Sequence, residues 1–451
     1  MKLRHFALVA AAALGAAACD APLDVNPRQS LPQEEALRTV EEIRAGANAM
    51  YDALQDCDGA YCRNLLVFPD LYADNLRFTG TYSSDREVAN RDIRSANTAL
   101  PEIWGEAYRA INRANNILEA VPNVAALDED EGATLSGEAH FVRALGYFNL
   151  VKFFGGVPLV TQPVWTVSPG VNVARSTEAE IWAFIESELT TAISQLPRSN
   201  AAGRATSWAA KALLARAHLY QREWAQAYAR ANDVIENGPF ALVEDYAAVF
   251  DNEQTEEAIF EVPFSVTDAN SLAFWFYTRP LGGRWGFAPT TAGPNSLAAA
   301  FEAEDERRPV AVSRQGSRFY GNKYTDVASG TDDVPVLRLA EMYLIRSEAA
   351  ARMGQLPQAI ADINVVRERA GVAPLDASGM TQEEVLLANL AERRRELFYE
   401  GHRFFDLRRF MDIPSVSAYM SALGLTGFRL LFPIPQRELD ANSALVQNPG
   451  Y

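Results

Sequence analysis

Cysteine and histidine are scarce: this chain of 451 residues carries 3 of the first and 4 of the second. So few thiol and imidazole ligands argue against a multi-ligand zinc cluster. Positive charge is also short, with 41 Lys and Arg against 58 Asp and Glu, a formal net charge of −17. Phosphate contacts need a basic footprint, so the balance argues against nucleic-acid binding and against charge-driven adhesion to anionic lipid. Long apolar runs are missing after the N-terminus, which leaves no candidate membrane-spanning helix in the mature chain. No GxSxG nucleophile elbow occurs, and no pair of carboxylates is marked out for glycoside hydrolysis, so an enzyme is not expected. What remains is ordinary globular composition, 48% apolar and 22% charged, enough to bury a large core.

Residues Met1 to Ala18 read MKLRHFALVAAAALGAAA. Lys2 and Arg4 precede the short apolar run Phe6 to Leu14, and small residues follow, the pattern of a secretory signal. Cys19 comes directly after those small residues, as in a bacterial lipobox, where the cysteine becomes acylated. Several chains on one residue suffice for stable anchoring; the other reading is an ordinary cleavage site beside a chance cysteine. The organisation expected is a lipoprotein signal peptide over 1–18, a lipidated tether over 19–30 and a single domain over 31–451. Cys57 and Cys62 flank Asp58-Gly59, so a small-loop disulfide is expected in an oxidising envelope, with two free thiols as the alternative.

Most of the chain has helical period. Leu31 to Leu54, Pro101 to Val121 and Ser136 to Phe154 read as helices, and the acidic run Asp128 to Glu131 as a solvated loop. Thr177-x-x-Glu180 is a capping box opening Ile181 to Leu196, and Thr381-x-x-Glu384 caps a last long helix reaching about Phe410. Two segments repeat one plan. Ala209 to Glu236 breaks at Gln221-Arg222-Glu223, and Leu339 to Ala370 breaks at Gly354-Gln355-Leu356. Aligning Arg222 with Gly354 puts Ala215 on Ser347 and Ala227 on Ala359, the small residues of tetratricopeptide-like packing. Generic antiparallel helices are the alternative. Between these repeats, about 238–336 is Gly/Pro-rich with strand-like runs such as Ala258 to Val262, and about 56–99 is similarly irregular. The fold class expected is mostly α: a tetratricopeptide-like helical-repeat scaffold with an irregular, partly β ligand-binding insertion.

Four stretches together resemble the SusD/RagB family of outer-membrane lipoproteins, over essentially the whole chain. They are the lipobox Cys19 with LDVNP and LPQEE after it; GEAHFVRALGYFNLVKFFGGVPLV from Gly137; RLAEMYLIRSEAAARMG from Arg338, continuing through ERRRELFYEGHRFFDLRR from Glu392; and the terminus LFPIPQRELDANSALVQNPGY. The resemblance implies a lipid-anchored protein facing outward. It would act as a lid on a SusC-like TonB-dependent transporter and capture glycans, or sometimes peptides, without catalysis. A helical-repeat scaffold with no ligand is the alternative. Asp20 after the lipidated cysteine is an inner-membrane retention signal in enteric bacteria, a rule that bacteria rich in this family do not follow.

Sugars present flat C–H faces ringed by hydroxyls, so their sites need exposed aromatics beside polar donors and acceptors. Two irregular stretches offer these. The first holds Tyr72, Asp74, Asn75, Arg77 and Tyr82. The second holds Trp275, Tyr277, Arg284 and Trp285, with Tyr320 farther on. The competing expectation for each residue is the small core of the non-helical region. Glu396, Glu400, His402 and Asp406 sit among arginines and read as structural ion pairs. His140, His218 and the tryptophans Trp104, Trp182, Trp208 and Trp224 read as packed. No cofactor is implied; Asp326, Asp332 and Asp333 leave structural calcium open, without the spacing of a strong motif.

Overall fold

The computed structural model describes residues 36–56, 61–164, 172–251 and 253–451. The signal, the tether, Cys19 and Cys57 lie outside them. Helices α1 (Val40–Asp52), α2 (Asn64–Tyr72), α3 (Ser83–Ala89), α4 (Leu100–Ala120), α5 (Glu129–Phe154), α6 (Glu178–Gln195), α7 (Ser207–Tyr220) and α8 (Trp224–Asn237) fill the first half. Strand β1 (Leu76–Phe78) follows α2. The second half opens with β2 (Ala258–Val262), α9 (Leu272–Phe276), β3 (Phe287–Pro289), β4 (Ser313–Gln315), β5 (Arg318–Tyr320) and β6 (Val334–Arg338). It closes with α10 (Leu339–Arg352), α11 (Leu356–Arg369), α12 (Gln382–Glu396), α13 (Arg403–Arg409), α14 (Pro414–Ala422) and the short α15 (Gln436–Ala441). A buried apolar core runs from Ile43 to Ile434.

The helix starts are chemically specified. Thr177 and Thr381 each accept from the backbone of the glutamate three residues on, and that glutamate returns the bond. A third capping box, Thr39 with Glu42, starts α1 at Val40, and the expected start at Leu31 lies outside the described residues. Two expected boundaries are corrected. Asp128 is an N-cap, not loop: it accepts from the Asp130 and Glu131 amides, and Glu129, Asp130 and Glu131 form the acidic first turn of α5, where carboxylates suit the positive helix end. The last long helix also stops early. Tyr399 and Gly401 adopt φ of 62° and 79°, breaking the chain between α12 and α13.

The paired repeats are present. In α7–α8 and α10–α11 the turn positions Arg222 and Gly354 are both left-handed. Ala215, Ala227, Ser347 and Ala359 are fully buried, and the Ser347 hydroxyl donates to the Ala359 carbonyl at 2.8 Å. Small residues there let paired helices approach closely. The ion-pair reading of Glu396, Glu400 and Asp406 holds, but most partners come from far along the chain. Arg338 reaches Glu257, Glu396 and Glu400, Arg307 reaches Asp305, Glu392 and Glu396, and Arg409 reaches Glu348 and Asp406.

Between α8 and α10 the chain leaves the scaffold and returns. Its outgoing strand β2 pairs antiparallel with its returning strand β6, Ala258 opposite Arg338 and Val262 opposite Val334. The excursion is therefore closed at its base.

Candidate ligand-binding site

The two stretches singled out in the sequence lie nearly 200 residues apart, yet the fold makes them one surface. Strand β1 pairs antiparallel with β3, with Leu76 opposite Pro289, Arg77 opposite Ala288 and Phe78 opposite Phe287. The ladder continues past β1, where the Thr79 amide donates to the Gly286 carbonyl at 2.8 Å and the Thr79 hydroxyl to the Trp285 carbonyl. Gly286 also lets the Trp275 ring lie against the backbone: a Cβ there would stand 2.6 Å from that ring.

Alternation along the first stretch then decides what faces out. Tyr72 is fully buried against Phe404 and Phe432, and its hydroxyl donates to the Arg429 carbonyl at 3.0 Å. Asp74 is buried under Arg403, which donates to both its oxygens at 2.7 and 2.8 Å, with Arg394 and Tyr419 adding to the shell. Burial pushes its carboxyl up, but Arg403 and Arg394 outweigh it and hold the group well below the usual range. Asn75 bridges Asp70 and Arg394 at 2.6 and 2.8 Å. These three candidates are corrected to core residues that fix β1 against α12 and α13, because their polar groups are consumed by buried partners.

The remaining candidates form two neighbouring groups. In the first, Tyr82 is 46% exposed and its ring centre lies 5.8 Å from that of Trp275. The Arg284 guanidinium covers both rings, at 4.7 and 5.1 Å from their centres, and Arg63 lies 4.6 Å from the Trp275 centre. A cleft of about 430 Å³ opens here, lined by Arg63, Tyr82, Ser84, Thr98, Glu102 and Trp275 among others. It runs through Thr98 and Glu102 into a wider groove of about 780 Å³ that also takes in Arg109 and Gln436. Trp275 is mostly buried, so it serves as the floor and Tyr82 as the exposed wall. Asp85 is buried beneath, 3.4 Å from Arg63, and burial raises its carboxyl.

In the second group, Arg77 and Arg318 pack on the half-buried Trp285 ring at 5.3 and 4.8 Å. The Trp285 indole donates to the Phe319 carbonyl at 2.9 Å. Tyr277 and Tyr320 pack with ring centres 5.0 Å apart and planes tilted by 57°, and the Tyr277 hydroxyl donates to Asn322. Burial, then the neighbouring Tyr320, pushes the Tyr277 phenol up to about 12.

Sequence reasoning missed Arg63, Ser84, Thr98, Glu102 and Arg318. They carry no local signal beyond their places in or at the edges of the irregular stretches. Asp326, Asp332 and Asp333 do not converge on an ion. Asp326 accepts from the amides and hydroxyls of Ser329 and Thr331, Asp332 from the amides of Thr325 and Asp326, and Asp333 from the Phe264 amide. Cys62 is disulfide-bonded. Among the described residues, no helix is long and apolar enough to cross a membrane.

Comparison with known proteins agrees with this layout. Residues 304–451 match the family model described as the SusD family, and residues 23–219 match one described as starch-binding associating with outer membrane. SusD-like protein P38 of Formosa agariphila is 26% identical, over 96% of this chain and 96% of its own length. A SusD superfamily protein from Bacteroides vulgatus superposes with a TM-score of 0.84 at 24% identity, over 92% of this chain and 100% of that one. A laminarin-binding SusD-like protein superposes with a TM-score of 0.77 at 26% identity, over 92% and 100%. With both ends of the chain matched by related models and its whole length by relatives, the chain belongs to the SusD/RagB family.

Proposed function

We propose that this protein captures glycans at the cell surface and delivers them to a SusC-like TonB-dependent transporter, held at the outer membrane by lipid on Cys19. The observation that carries the reading is the exposed Tyr82 ring beside Trp275 with the Arg284 guanidinium across both. Ring faces suit sugar C–H faces, and guanidinium N–H groups suit hydroxyl or carboxylate oxygens. At the cleft Glu102 accepts from the Asn64 side-chain amide, and nearby Asp85 lies 3.4 Å from Arg63. The laminarin-binding relative and the starch-binding description of one matching family model support a saccharide as ligand.

The test is a binding screen of the full chain in detergent against starch, β-glucans, uronate-containing polysaccharides and peptides, read by tryptophan fluorescence. A saccharide hit weakened about tenfold by Tyr82→Ala, the loss of one ring contact and its cation–π partner, is expected. Peptide binding with no saccharide binding would overturn the glycan reading. Cys19→Ser is expected to release the protein from membranes, and co-purification of a transporter with the parent tests delivery.

A further inference from the structure

Within the helical scaffold, side chains of helix α6 meet those of the turn between α7 and α8. Glu186 comes from α6, His218 from the last turn of α7, and Glu223 from the residue before α8. One ligand atom from each lies within 4.8 Å of the others. His218 is 7% exposed, and its Nδ1 stands 2.6 Å from Glu223 Oε2. Gln221 places its side-chain amide 2.6 Å from Glu186 Oε1.

A comparison within the same helix shows what this cluster lacks. Two residues from Glu186, Glu188 also meets an imidazole, His140 at 2.9 Å. There Arg143 donates to both Glu188 oxygens at 2.6 and 2.9 Å and balances the charge. The buried acids Glu341, Glu348, Glu392 and Glu396 are likewise each paired with arginine. Among the described residues, neither Glu186 nor Glu223 forms an ion pair with lysine or arginine. Two carboxylates thus converge on one imidazole with no fixed cation between them.

We propose that Glu186, His218 and Glu223 bind a divalent transition-metal ion of the zinc type. An imidazole nitrogen with carboxylate oxygens favours zinc and its neighbours over calcium or magnesium, which take oxygen shells. Zinc bonds near 2.0–2.2 Å put tetrahedral donors about 3.3 Å apart. The present atoms reach that spacing by rotation of the two long glutamate side chains. Gln221 supplies a fourth donor when its amide is turned over to present oxygen, an orientation set by its hydrogen-bond partner. The ion ties α6 to the α7–α8 turn and so stiffens the scaffold.

The full chain, purified in detergent and stripped with chelator, is titrated with zinc chloride by calorimetry, and its melting temperature is followed in parallel. One ion per chain and a raised melting temperature are expected, since a ligand of the folded state stabilises it by mass action. Glu223→Gln and His218→Asn are expected to weaken zinc binding at least tenfold, and His140→Asn to leave it unchanged. His218 is largely buried and its variant can fail to fold. Glu223 is more exposed, so the Glu223→Gln protein, checked by circular dichroism, decides the matter. Binding unaltered in folded Glu223→Gln, or lost in His140→Asn instead, would overturn the proposal. So would no zinc binding.

Discussion

Arg222 and Gly354 hold the same place in two helix–turn–helix units, and both are left-handed, with φ of 64° and 79°. Glycine adopts this conformation without strain, whereas arginine does so at a cost of about 1 kcal/mol. A Cβ on Gly354 would have nothing within 4 Å. Gly354→Ala therefore meets the backbone penalty alone, and a loss of about 1 kcal/mol is expected from the urea midpoint. Arg222→Gly relieves the same strain but gives up a 2.9 Å bond to the Arg409 carbonyl. Its net change is expected to stay within about 1 kcal/mol of zero.

Arg338 sits at the centre of a buried acid cluster, bound to Glu257, Glu396 and Glu400. Removing it strands several charges in the core, so Arg338→Met is expected to destabilise by about 3–5 kcal/mol, measured by equilibrium unfolding. Burial pushes the Glu396 carboxyl up, but Arg369, Arg338 and Arg307 win and hold it below its usual 4.5. A depressed carboxyl contributes stability above its unfolded value and loses it as pH falls below. The parent is accordingly expected to weaken below about pH 4.5, and Arg338→Met to lose part of that acid slope.

Lys152 gives the opposite end of the titration. Burial, then Arg216 nearby, pushes its ammonium down to about 7 from 10.5, with Glu341 opposing. The unfolded chain then binds more protons between those values, so this residue makes stability rise with pH from about 7 to 10.5. Lys152→Met removes the charge, whose nitrogen lies 5.6, 5.5 and 5.3 Å from the ring centres of Phe148, Phe153 and Phe405. The variant is expected to be more stable than the parent at pH 7 by an amount on the order of 1 kcal/mol or more, with the gap closing toward pH 10.5.

Cys62 is disulfide-bonded, and Cys57 is the partner the sequence proposes. A Cys57–Cys62 linked peptide is expected in a non-reducing digest read by mass spectrometry. Closing so small a loop stabilises by about 2 kcal/mol in the chain-entropy picture, and Cys62→Ser is expected to lower stability by that amount.

What was legible in the sequence was local. Thr177 with Glu180 and Thr381 with Glu384 announce helix starts because both partners lie within four residues. The repeat was visible because packing demands small residues at fixed spacing, as at Ala215 and Ser347. The site was half legible: both aromatic stretches were identifiable by composition, and Tyr82, Arg284 and Trp285 reach the surface. Tyr72, Asp74 and Asn75 looked equivalent to them. Their inward direction is set by Arg394, Arg403 and Phe404, more than 300 residues downstream, and no local pattern records such partners. The break at Tyr399 was hidden for a related reason, since an apolar run gives no sign of a left-handed residue within it.

The pairing of β2 with β6 has an evolutionary reading. Because the outgoing and returning strands bond to each other, the excursion's length and content can change while the scaffold meets the same two neighbouring ends. Diversity in what such proteins recognise can then accumulate in the excursion without refolding the repeats. The exchange is constrained: β3 must still find β1, which lies in the early sequence outside the excursion, and Arg307 must still meet Glu392 and Glu396 of α12. A transplanted excursion would carry its recognition surface intact only if the Leu76–Phe78 strand travelled with it.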